Sequence, residues 1–531
     1  MSEVEYWLSM IQRGRISRRE FFGRAAALGV STVMATTLLS KAGIAEEPKQ
    51  GGFARFAISE GGTTDVMDPA TWPGFFTQNA FAGSMCNGLT VLNEKGEIVP
   101  DLAESYESSN GTKTWMIKLR SGLTFHNGKS VTVNDVVESF RYHMSAASKS
   151  AAKSLLTGIA DIKQDGPSGV LFTLNEGSAD FPYILSDYHL VVMPAKDGGG
   201  IDWRSGVATG PFTLENFVPG TSAKLKRFAN YHKTGKPHFD EVEFLVVSDV
   251  SARVNALITG EVHFMDNCDL KTLGALSRNP AIKVLEVPGI GFYTFAMDTQ
   301  AAPFNDVNVR LAVKYALDRE EIHKKIFLGH AVVGNDNPIA ASLKYATNPL
   351  PVHKYDPDMA THYLQKAGHS SIKLSLSVAE TGFPGAVNAA VLYKAQAAKA
   401  GIDITVVREP EDSYWDAVYL KKPWCAVNWY GRATCDWMFT TAYAAGAAWN
   451  DTKWNNAHFN DLLVKARSEL DDTKRAAMYA EMQQLVHDDG GVIVVAFNNW
   501  VNAHSTKLAH GEVNGIWPDD NFRMSERWWF A

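Results

Sequence analysis

Helix-like and strand-like stretches alternate along this chain without a fixed repeat, and that alternation limits its fold more than any other feature. Residues 386–400 are good helix formers, Gly401 ends them, and the β-rich run IDITVV follows at 402–407. Helix, glycine and strand in this order are typical of α/β domains. Other β-rich runs lie at 53–59, 241–247 and 492–497. We therefore predict a mixed α/β fold.

Helix starts can be read from capping residues. Thr132 and Asp135 have the spacing of a capping box, and Asp318 and Glu321 repeat it before another apolar run. Two further helices are predicted near the carboxyl end, at 459–470 and 473–487.

Composition excludes some classes of partner. The chain has 531 residues, 45% of them hydrophobic and 21% charged, which is typical of a soluble globular protein with several cores. The formal net charge is −7, and residues 1–45 hold six Lys and Arg against three Glu, so the remainder carries −10. Such a surface disfavours DNA, RNA and anionic lipid.

The amino-terminal segment has the order of an export signal. Arg18 and Arg19 precede a weakly apolar stretch at 25–39 and a small-residue pattern that ends at Ala45. Paired arginines before a mild apolar region resemble the signal of the twin-arginine export route. The apolar stretch is shorter than the roughly 20 residues that cross a bilayer. We expect cleavage after Ala45 and a mature protein free in the periplasm of a Gram-negative cell, without a stable membrane anchor.

Motifs of catalysis and cofactor binding are missing from the sequence. It contains no G-x-S-x-G elbow, H-E-x-x-H motif or Walker A loop, and no G-x-G-x-x-G fingerprint after a strand. We predict no enzyme activity, no cofactor and no metal site. Cys425 and Cys435 are close enough in sequence to form a disulfide in an oxidising compartment, and free buried thiols are the alternative.

Tryptophan is concentrated around the segment NWYGRATCDW, residues 428–437, which also holds Arg432 and Asp436. Core packing is the ordinary role of such rings, but flat apolar walls beside a few charges also suit a ligand cleft. A guanidinium offers paired donors to a carboxylate, sulfonate or phosphate. The alternative is an ion pair between Arg432 and Asp436 that braces the loop. The six tryptophans are Trp415, Trp424, Trp429, Trp437, Trp449 and Trp454.

Three long blocks match one protein family in the same order. They are IVPDLAESYESSNGTKTWMIKLRSGLTFHNGKSVTVNDV at 98–136, GPFTLENF at 210–217 and PFNDVNVRLAVKYALDREEI at 303–322. Together they resemble the family 5 extracellular solute-binding proteins, the dipeptide- and oligopeptide-binding components of ABC importers. The resemblance extends over nearly the whole chain after residue 45.

The resemblance implies a type II periplasmic-binding-protein fold, similar to the large cluster C, in which two lobes close on a ligand. The first lobe would contain residues 46–297 and 500–531, with a subdomain near 96–205. The second lobe would be 298–499, and residues 1–45 would be the signal peptide. The chain itself offers crossing points between lobes at 297–299 and 497–499, where β-like runs give way to polar residues.

The resemblance also implies where a ligand would bind. The family's equivalent of 428–439 lines the pocket, and peptide-binding members place an aspartate three residues after the position of Trp429. Arg432 stands there in this chain, so binding of a peptide amine through that anchor is in doubt. Asp436 is a candidate to bind the ligand's cationic group instead. The complete set of predicted ligand-binding residues is Trp429, Arg432, Asp436, Trp437, Trp500, Glu60, Gly61, Gly62, Thr63 and Trp72.

The function implied is that of a receptor that delivers a solute to a membrane permease. The permease is driven by an ATPase, so its subunits and, through them, the ATPase are the expected partners. A peptide, an opine or a related amino-acid-derived solute, anionic or zwitterionic, is the expected ligand, and we expect a monomer. Two alternatives stay open on the sequence, an exported periplasmic enzyme and a ligand sensor for a chemoreceptor.

Overall fold

The computed structural model describes residues 3–12, 16, 18–30, 35, 38, 48–72, 74–411 and 414–531. The predicted cleavage site after Ala45 and the side chains of Arg18 and Arg19 lie outside the described part. Within the described ranges, no helix combines the length and apolar character that a membrane crossing requires.

The strands, numbered in chain order, fall into one large sheet and three small ones. They are β1 (Phe53–Ile58), β2 (Thr90–Leu92), β3 (Ile98–Pro100), β4 (Ala103–Ser109), β5 (Thr114–Leu119), β6 (Ile159–Asp165), β7 (Gly169–Leu174), β8 (Phe212–Val218), β9 (Ser222–Arg227), β10 (Glu241–Val246), β11 (Phe264–Met265), β12 (Ile282–Met297), β13 (Ala331–Val333), β14 (Ile372–Val378), β15 (Ile402–Arg408), β16 (Trp424–Trp429), β17 (Val492–Ser505), β18 (Leu508–Ala509) and β19 (Trp529–Phe530).

The α-helices vary from single turns to a helix of 18 residues. They are α1 (Glu3–Gln12), α2 (Arg18–Ala27), α3 (Phe75–Thr77), α4 (Val133–Met144), α5 (Phe181–Ile184), α6 (Val250–Thr259), α7 (Leu273–Leu276), α8 (Val307–Tyr315), α9 (Arg319–Lys325), α10 (Pro357–Lys366), α11 (Ala386–Ala397), α12 (Tyr414–Ala417), α13 (Cys435–Ala442), α14 (Ala457–Ser468), α15 (Asp472–Asp489) and α16 (Met524–Arg527). A π-helix, Gln78–Met85, continues α3.

The large sheet runs in the order β15-β14-β16-β12-β17-β11-β1-β10-β9-β8, with β13 also paired to β17. Two long antiparallel strands, β12 and β17, lie at its centre and belong to both halves of the sheet. The carboxyl-terminal end of β17, at Ala503 and His504, pairs with β11, whereas residues 292–297 of β12 pair with β16. A separate antiparallel sheet, β4-β5-β7-β6, packs against α4.

Local sequence signals account for several element boundaries. The capping box at Thr132 and Asp135 is present at the start of α4, and the Asp318 side chain accepts a hydrogen bond from the Glu321 N–H at the start of α9. Gly401 has a φ of 77° between helix and strand, a conformation that glycine adopts without a steric cost. These predicted boundaries are confirmed.

Candidate ligand-binding cleft

Arg432 lies in a short loop between the end of β16 and the start of α13. Gly431 precedes it with a φ of 69°, and a Cβ at that position would lie 2.2 Å from the carbonyl oxygen of Ile290. Thr434 then caps α13, because its side chain accepts a hydrogen bond from the Trp437 N–H at 3.2 Å. The strand, the required glycine and the helix cap together fix the position of the Arg432 backbone.

Three tryptophan rings frame the Arg432 guanidinium. Its central carbon lies 6.0 Å from the ring centroid of Trp429, 5.7 Å from that of Trp437 and 6.0 Å from that of Trp449. Distances of this size permit a cation–π attraction. The charge among tryptophans that is visible in the sequence is therefore a charge among tryptophan rings in the fold as well.

The Arg432 charge has no direct counterion. Its Nη1 donates a hydrogen bond to the Gly431 carbonyl at 2.6 Å, and no carboxylate of a described residue lies within 4.0 Å of the guanidinium. Burial lowers the pKa of Arg432, and the negative charge of Asp187 opposes that shift from a greater distance. Arginine stays protonated in proteins, so this loop holds a partly buried cation that can receive an anionic group.

Asp436 pairs with a different arginine. Its Oδ1 lies 3.2 Å from Nε of Arg467, on α14, so the alternative ion pair between Asp436 and Arg432 is not formed. Burial raises the pKa of Asp436 to about 6, although Arg467 acts in the opposite direction. The carboxylate is thus already held by a protein cation and is buried, which weakens it as a binding group for a ligand amine.

The Trp429 ring is fixed by a hydrogen bond to the buried carboxyl group of Asp451. Its Nε1 donates to Oδ2 of Asp451 at 3.1 Å, and its ring stacks on Phe292 with centroids 6.4 Å apart and an interplanar angle of 12°. Burial raises the pKa of Asp451 to about 7. Only 6% of Trp429 is exposed, so most of its ring is packed inside the protein and little of it is open to a ligand.

Residues 97–451 match the family model for bacterial extracellular solute-binding proteins, family 5 Middle. The chain belongs to this family. It is a solute-binding protein, and the predicted fold class is confirmed.

Individual relatives extend the similarity beyond the matched region. The dipeptide-binding protein of Escherichia coli (strain K12) is 27% identical over 476 residues, which is 82% of this chain and 88% of that protein. The glutathione-binding protein GsiB of Shigella dysenteriae serotype 1 (strain Sd197) is 27% identical over 491 residues, or 88% of this chain and 93% of that protein. Among solved structures, HbpA2 from Haemophilus parasuis superposes with a TM-score of 0.79 at 19% identity, covering 88% of this chain and 98% of that one.

A second segment interacts with Arg432, and sequence reasoning missed it. Asp187 and Tyr188 lie in the turn after α5, and both interact electrostatically with Arg432. Tyr188 packs edge-on against Trp517 at 5.8 Å, and Trp517 packs against the core cluster that contains Trp429. No motif marks the segment DYH in the sequence, so only the folded chain could bring it opposite Arg432.

The hydrogen bonds and ring contacts of residues 60–63 and of Trp72 are made with residues outside the Arg432 loop. Glu60, Gly61 and Thr63 are exposed in a turn that Asp65 closes by accepting a hydrogen bond from the Gly62 N–H at 2.8 Å. Trp72 is 1% exposed and packs in the core, with its ring centroid 6.1 Å from that of Phe81. The core position removes the Trp72 ring from the surface that a ligand could touch.

Trp500 lies at the crossover between the two halves of the large sheet. Its Nε1 donates to the Gly515 carbonyl at 2.9 Å, and its ring meets Phe75 edge-on at 6.0 Å. The amide of the neighbouring Asn498 packs on Gly289 and Gly291 of β12. Trp500 therefore lies at the crossover of the sheet, and its ring nitrogen is already hydrogen-bonded within the protein.

The cysteines and one histidine cluster bear on the predicted disulfide and on metal binding. Cys425 and Cys435 are buried free thiols, as are Cys86 and Cys268, so the disulfide alternative is wrong for this structure. In the described ranges, one group of possible metal ligands, His353, His487 and Asp488, lies within 4.8 Å. The two imidazole rings are stacked, 3.8 Å apart at 15°, so their in-plane lone pairs run side by side and do not converge on one ion.

Proposed function

We propose that this protein is the periplasmic receptor of an ABC importer, which captures a small amino-acid-derived solute with an anionic group and delivers it to the membrane permease. The observation that carries the proposal is Arg432, a partly buried cation framed by tryptophan rings and without a carboxylate within 4.0 Å among the described residues. Relatives named for dipeptide and glutathione support an amino-acid-derived solute, since both ligands bear carboxylates.

The lobe boundaries are part of the proposal. We assign residues 46–297 and 500–531 to the first lobe, with its subdomain near 96–205, and residues 298–499 to the second. The register shift between β12 and β17 from Pro288 to Phe292, after which β12 also pairs with β16, supports a crossing of the two lobes there, earlier in the chain than 297–299. The opposite pairing residues on β17, Phe497 and Asn499, agree with the second predicted crossing point.

Delivery in this scheme needs no chemical step. Hydrogen bonds, charge pairing and aromatic contact select the closed form of the lobes, and the permease recognises that form. The receptor acts as a monomer, reaches the periplasm by the twin-arginine route through Arg18 and Arg19, and releases its ligand unchanged. Its partners are the permease subunits and, through them, the ATPase.

A thermal-shift screen tests the receptor function. Dipeptides, tripeptides, opines, betaines, sulfonates and sugars are added to the purified mature protein, because a ligand at 100 times its Kd stabilises the folded state by about 2.7 kcal/mol. We expect a shift from acid-bearing amino-acid derivatives and none from neutral sugars. Mass spectrometry of the recovered ligand should show the same mass before and after incubation; a converted product would contradict the receptor function.

The Arg432→Gln variant tests the anchor. It should lose more than about tenfold in affinity for the acidic ligand, since one buried ionic contact is removed while the fold is kept. Arg204→Gln is the matched control, because Arg204 also stands over a tryptophan, with its central carbon 4.3 Å from the Trp203 ring, but is exposed. An unchanged Kd in Arg432→Gln would remove this residue from the site.

A further inference from the structure

Exposed aromatic side chains are concentrated in the part of the chain around Arg432. Among the described residues from 48 onward, the exposed tryptophan and tyrosine residues are Trp415, Tyr430 and Trp449, with exposed fractions of 42%, 73% and 54%. Aromatic side chains bury most of their surface in ordinary packing, and exposed apolar surface that is gathered in one region marks a place of interaction. These rings therefore call for something that covers them.

Trp449 makes its ring contacts with the Arg432 region directly. Its ring centroid lies 6.0 Å from the central carbon of the Arg432 guanidinium and 6.2 Å from the ring centroid of Trp429. Trp429 is packed inside the protein, whereas more than half of Trp449 is open to solvent. A ligand whose anionic group binds Arg432 thus has the accessible surface of the Trp449 ring beside the atoms next to that group.

Tyr430 is the second exposed ring close to this cation. It lies two residues before Arg432 in the loop that follows β16. Tyr430 and Arg432 both act electrostatically on the hydroxyl of Tyr188, and they shift its pKa in opposite directions. Both side chains therefore lie near one point in the fold, on the side of the loop that faces Tyr188.

The surroundings of Trp449 suit a flat apolar group better than a polar one. Trp449 ends the segment AAGAAW, residues 444–449, whose small apolar side chains offer no hydrogen bond to a ligand. Nearby polar atoms are used within the protein, since the Tyr419 hydroxyl donates to the Trp449 carbonyl at 3.3 Å and Nε1 of Trp429 donates to Asp451. A sugar needs several hydrogen-bond partners, whereas an aromatic ring gains from edge-on or offset contact with another ring.

We infer that Trp449 and Tyr430 are specificity-determining residues, which select solutes that carry an aromatic ring next to the anionic group bound by Arg432. The inference rests on the proposed function and deepens it, because Arg432 attracts any anionic solute and the two exposed rings choose among them. The ligand class is an aromatic acid derived from an amino acid. The acid neutralises the partly buried guanidinium, and the ring of the ligand covers the exposed ring surface.

Three dipeptides of equal charge test the selection. Glycylphenylalanine, glycylcyclohexylalanine and glycylglycine are titrated into the purified mature protein while the thermal midpoint is recorded. Glycylphenylalanine should bind about three- to tenfold more tightly than glycylcyclohexylalanine, which has a ring of similar size without π electrons. It should bind more than about tenfold more tightly than glycylglycine, which has no apolar side chain to bury.

Substitutions assign the selection to the exposed rings. Trp449→Ala should bind glycylphenylalanine and glycylcyclohexylalanine equally, whereas Trp449→Phe, which keeps a ring, should retain most of the preference. Tyr430→Ala should lower the preference too, and its exposed position lets the protein fold. Trp415→Ala is the matched control, because Trp415 is also exposed but packs edge-on against Tyr419, with centroids 5.6 Å apart, and should retain the full preference. A preference unchanged in both Trp449→Ala and Tyr430→Ala overturns the inference.

The outcomes separate the inference from the proposed function. If the three dipeptides bind equally, or if another acid of the screen binds and none of them does, the selection by rings is wrong and the receptor stands. Equal binding of the phenyl and cyclohexyl compounds also overturns it. If the ligand-free protein sediments as a dimer that Trp449→Ala dissociates, a second copy covers the rings and the inference is wrong. If no compound of the screen shifts the midpoint, the proposed function falls as well.

Discussion

Two ionisable residues beside Trp429, Arg432 and Asp451, respond differently to burial. Arg432 remains charged and is surrounded by polarisable rings, whereas Asp451 gains a proton more readily because burial raises its pKa to about 7. The first arrangement keeps a charge for a ligand, and the second removes a charge from beneath Trp429.

Asp451 makes stability depend on pH in a definite direction. Its folded-state pKa is raised above the ordinary value of 3.8, so its contribution to stability is complete below pH 4 and is lost as the pH rises to about 7. Asp451→Asn, which cannot ionise, should therefore gain thermal stability over the wild type by a few degrees more at pH 8 than at pH 4. Asp416→Asn, at an exposed position on α12, should show no such trend; equal pH dependence in both variants would show that Asp451 is ionised in the folded protein.

At the scale of elements, the crossover of β12 and β17 depends on close backbone approach. A Cβ on Gly291 would lie 2.7 Å from Oδ1 of Asn498 and 3.0 Å from the carbonyl oxygen of Trp429. The register of the two strands shifts between Pro288 and Phe292, where these contacts occur. A glycine at this point permits the close backbone approach that accompanies the register shift beside the candidate site.

Gly291→Ala should lower the thermal midpoint, because overpacking of this kind costs about 1–3 kcal/mol. Gly274→Ala is the matched control, since a Cβ there meets no atom within 4 Å and alanine favours the helix in which it lies. Differential scanning calorimetry of both variants measures the difference. Equal midpoints would mean that Asn498 and the Trp429 backbone move aside without cost.

A second group of contacts joins α14 and α15 to the segment before α5. Asp180 and Arg475 form an ion pair at 2.8 Å, both nearly fully buried, and the Ala179 N–H donates to the Arg467 carbonyl at 2.8 Å. In the proposed lobe assignment these contacts cross from the first lobe to the second. They would then help to hold the lobes closed at a site that the ligand does not touch.

Asp180→Asn should shift the receptor toward the open form, since leaving one member of a buried pair unpartnered costs about 3–5 kcal/mol. Small-angle X-ray scattering of the ligand-free variant should give a larger radius of gyration than the wild type. Asp461→Asn breaks an exposed pair with Lys465 on α14 and should leave the radius unchanged. A compact Asp180→Asn protein would assign the pair to packing within one lobe.

At the scale of the whole molecule, the two proposed lobes share one sheet, and the sequence before them has the pattern of an export signal. Arginine and lysine carry the same charge, but a guanidinium and an ammonium present their hydrogen-bond donors in different geometries. A machinery that reads twin arginines should therefore reject lysines at the same positions.

Replacing Arg18 and Arg19 together by lysine should leave the protein in the cytoplasm as an uncleaved precursor. Cell fractionation with mass determination of the amino terminus measures this, with a mature chain starting at Glu46 expected for the wild type. The matched control replaces Arg13 and Arg15 by lysine and should be exported normally. Export of both variants would contradict the twin-arginine route.

The sequence by itself determined the α/β class, the family and most element boundaries, because these depend on local signals: capping residues, glycines at helix ends and runs of β-formers. It also indicated the Arg432 loop, since charge among tryptophans is visible in one short segment. Partners from distant parts of the chain were decided only by the tertiary structure. Asp436 meets Arg467 and not Arg432, Trp72 turns into the core, and Asp187 comes close enough to Arg432 to interact with it electrostatically. Each of these arrangements depends on how separate elements pack, and no local pattern records that packing.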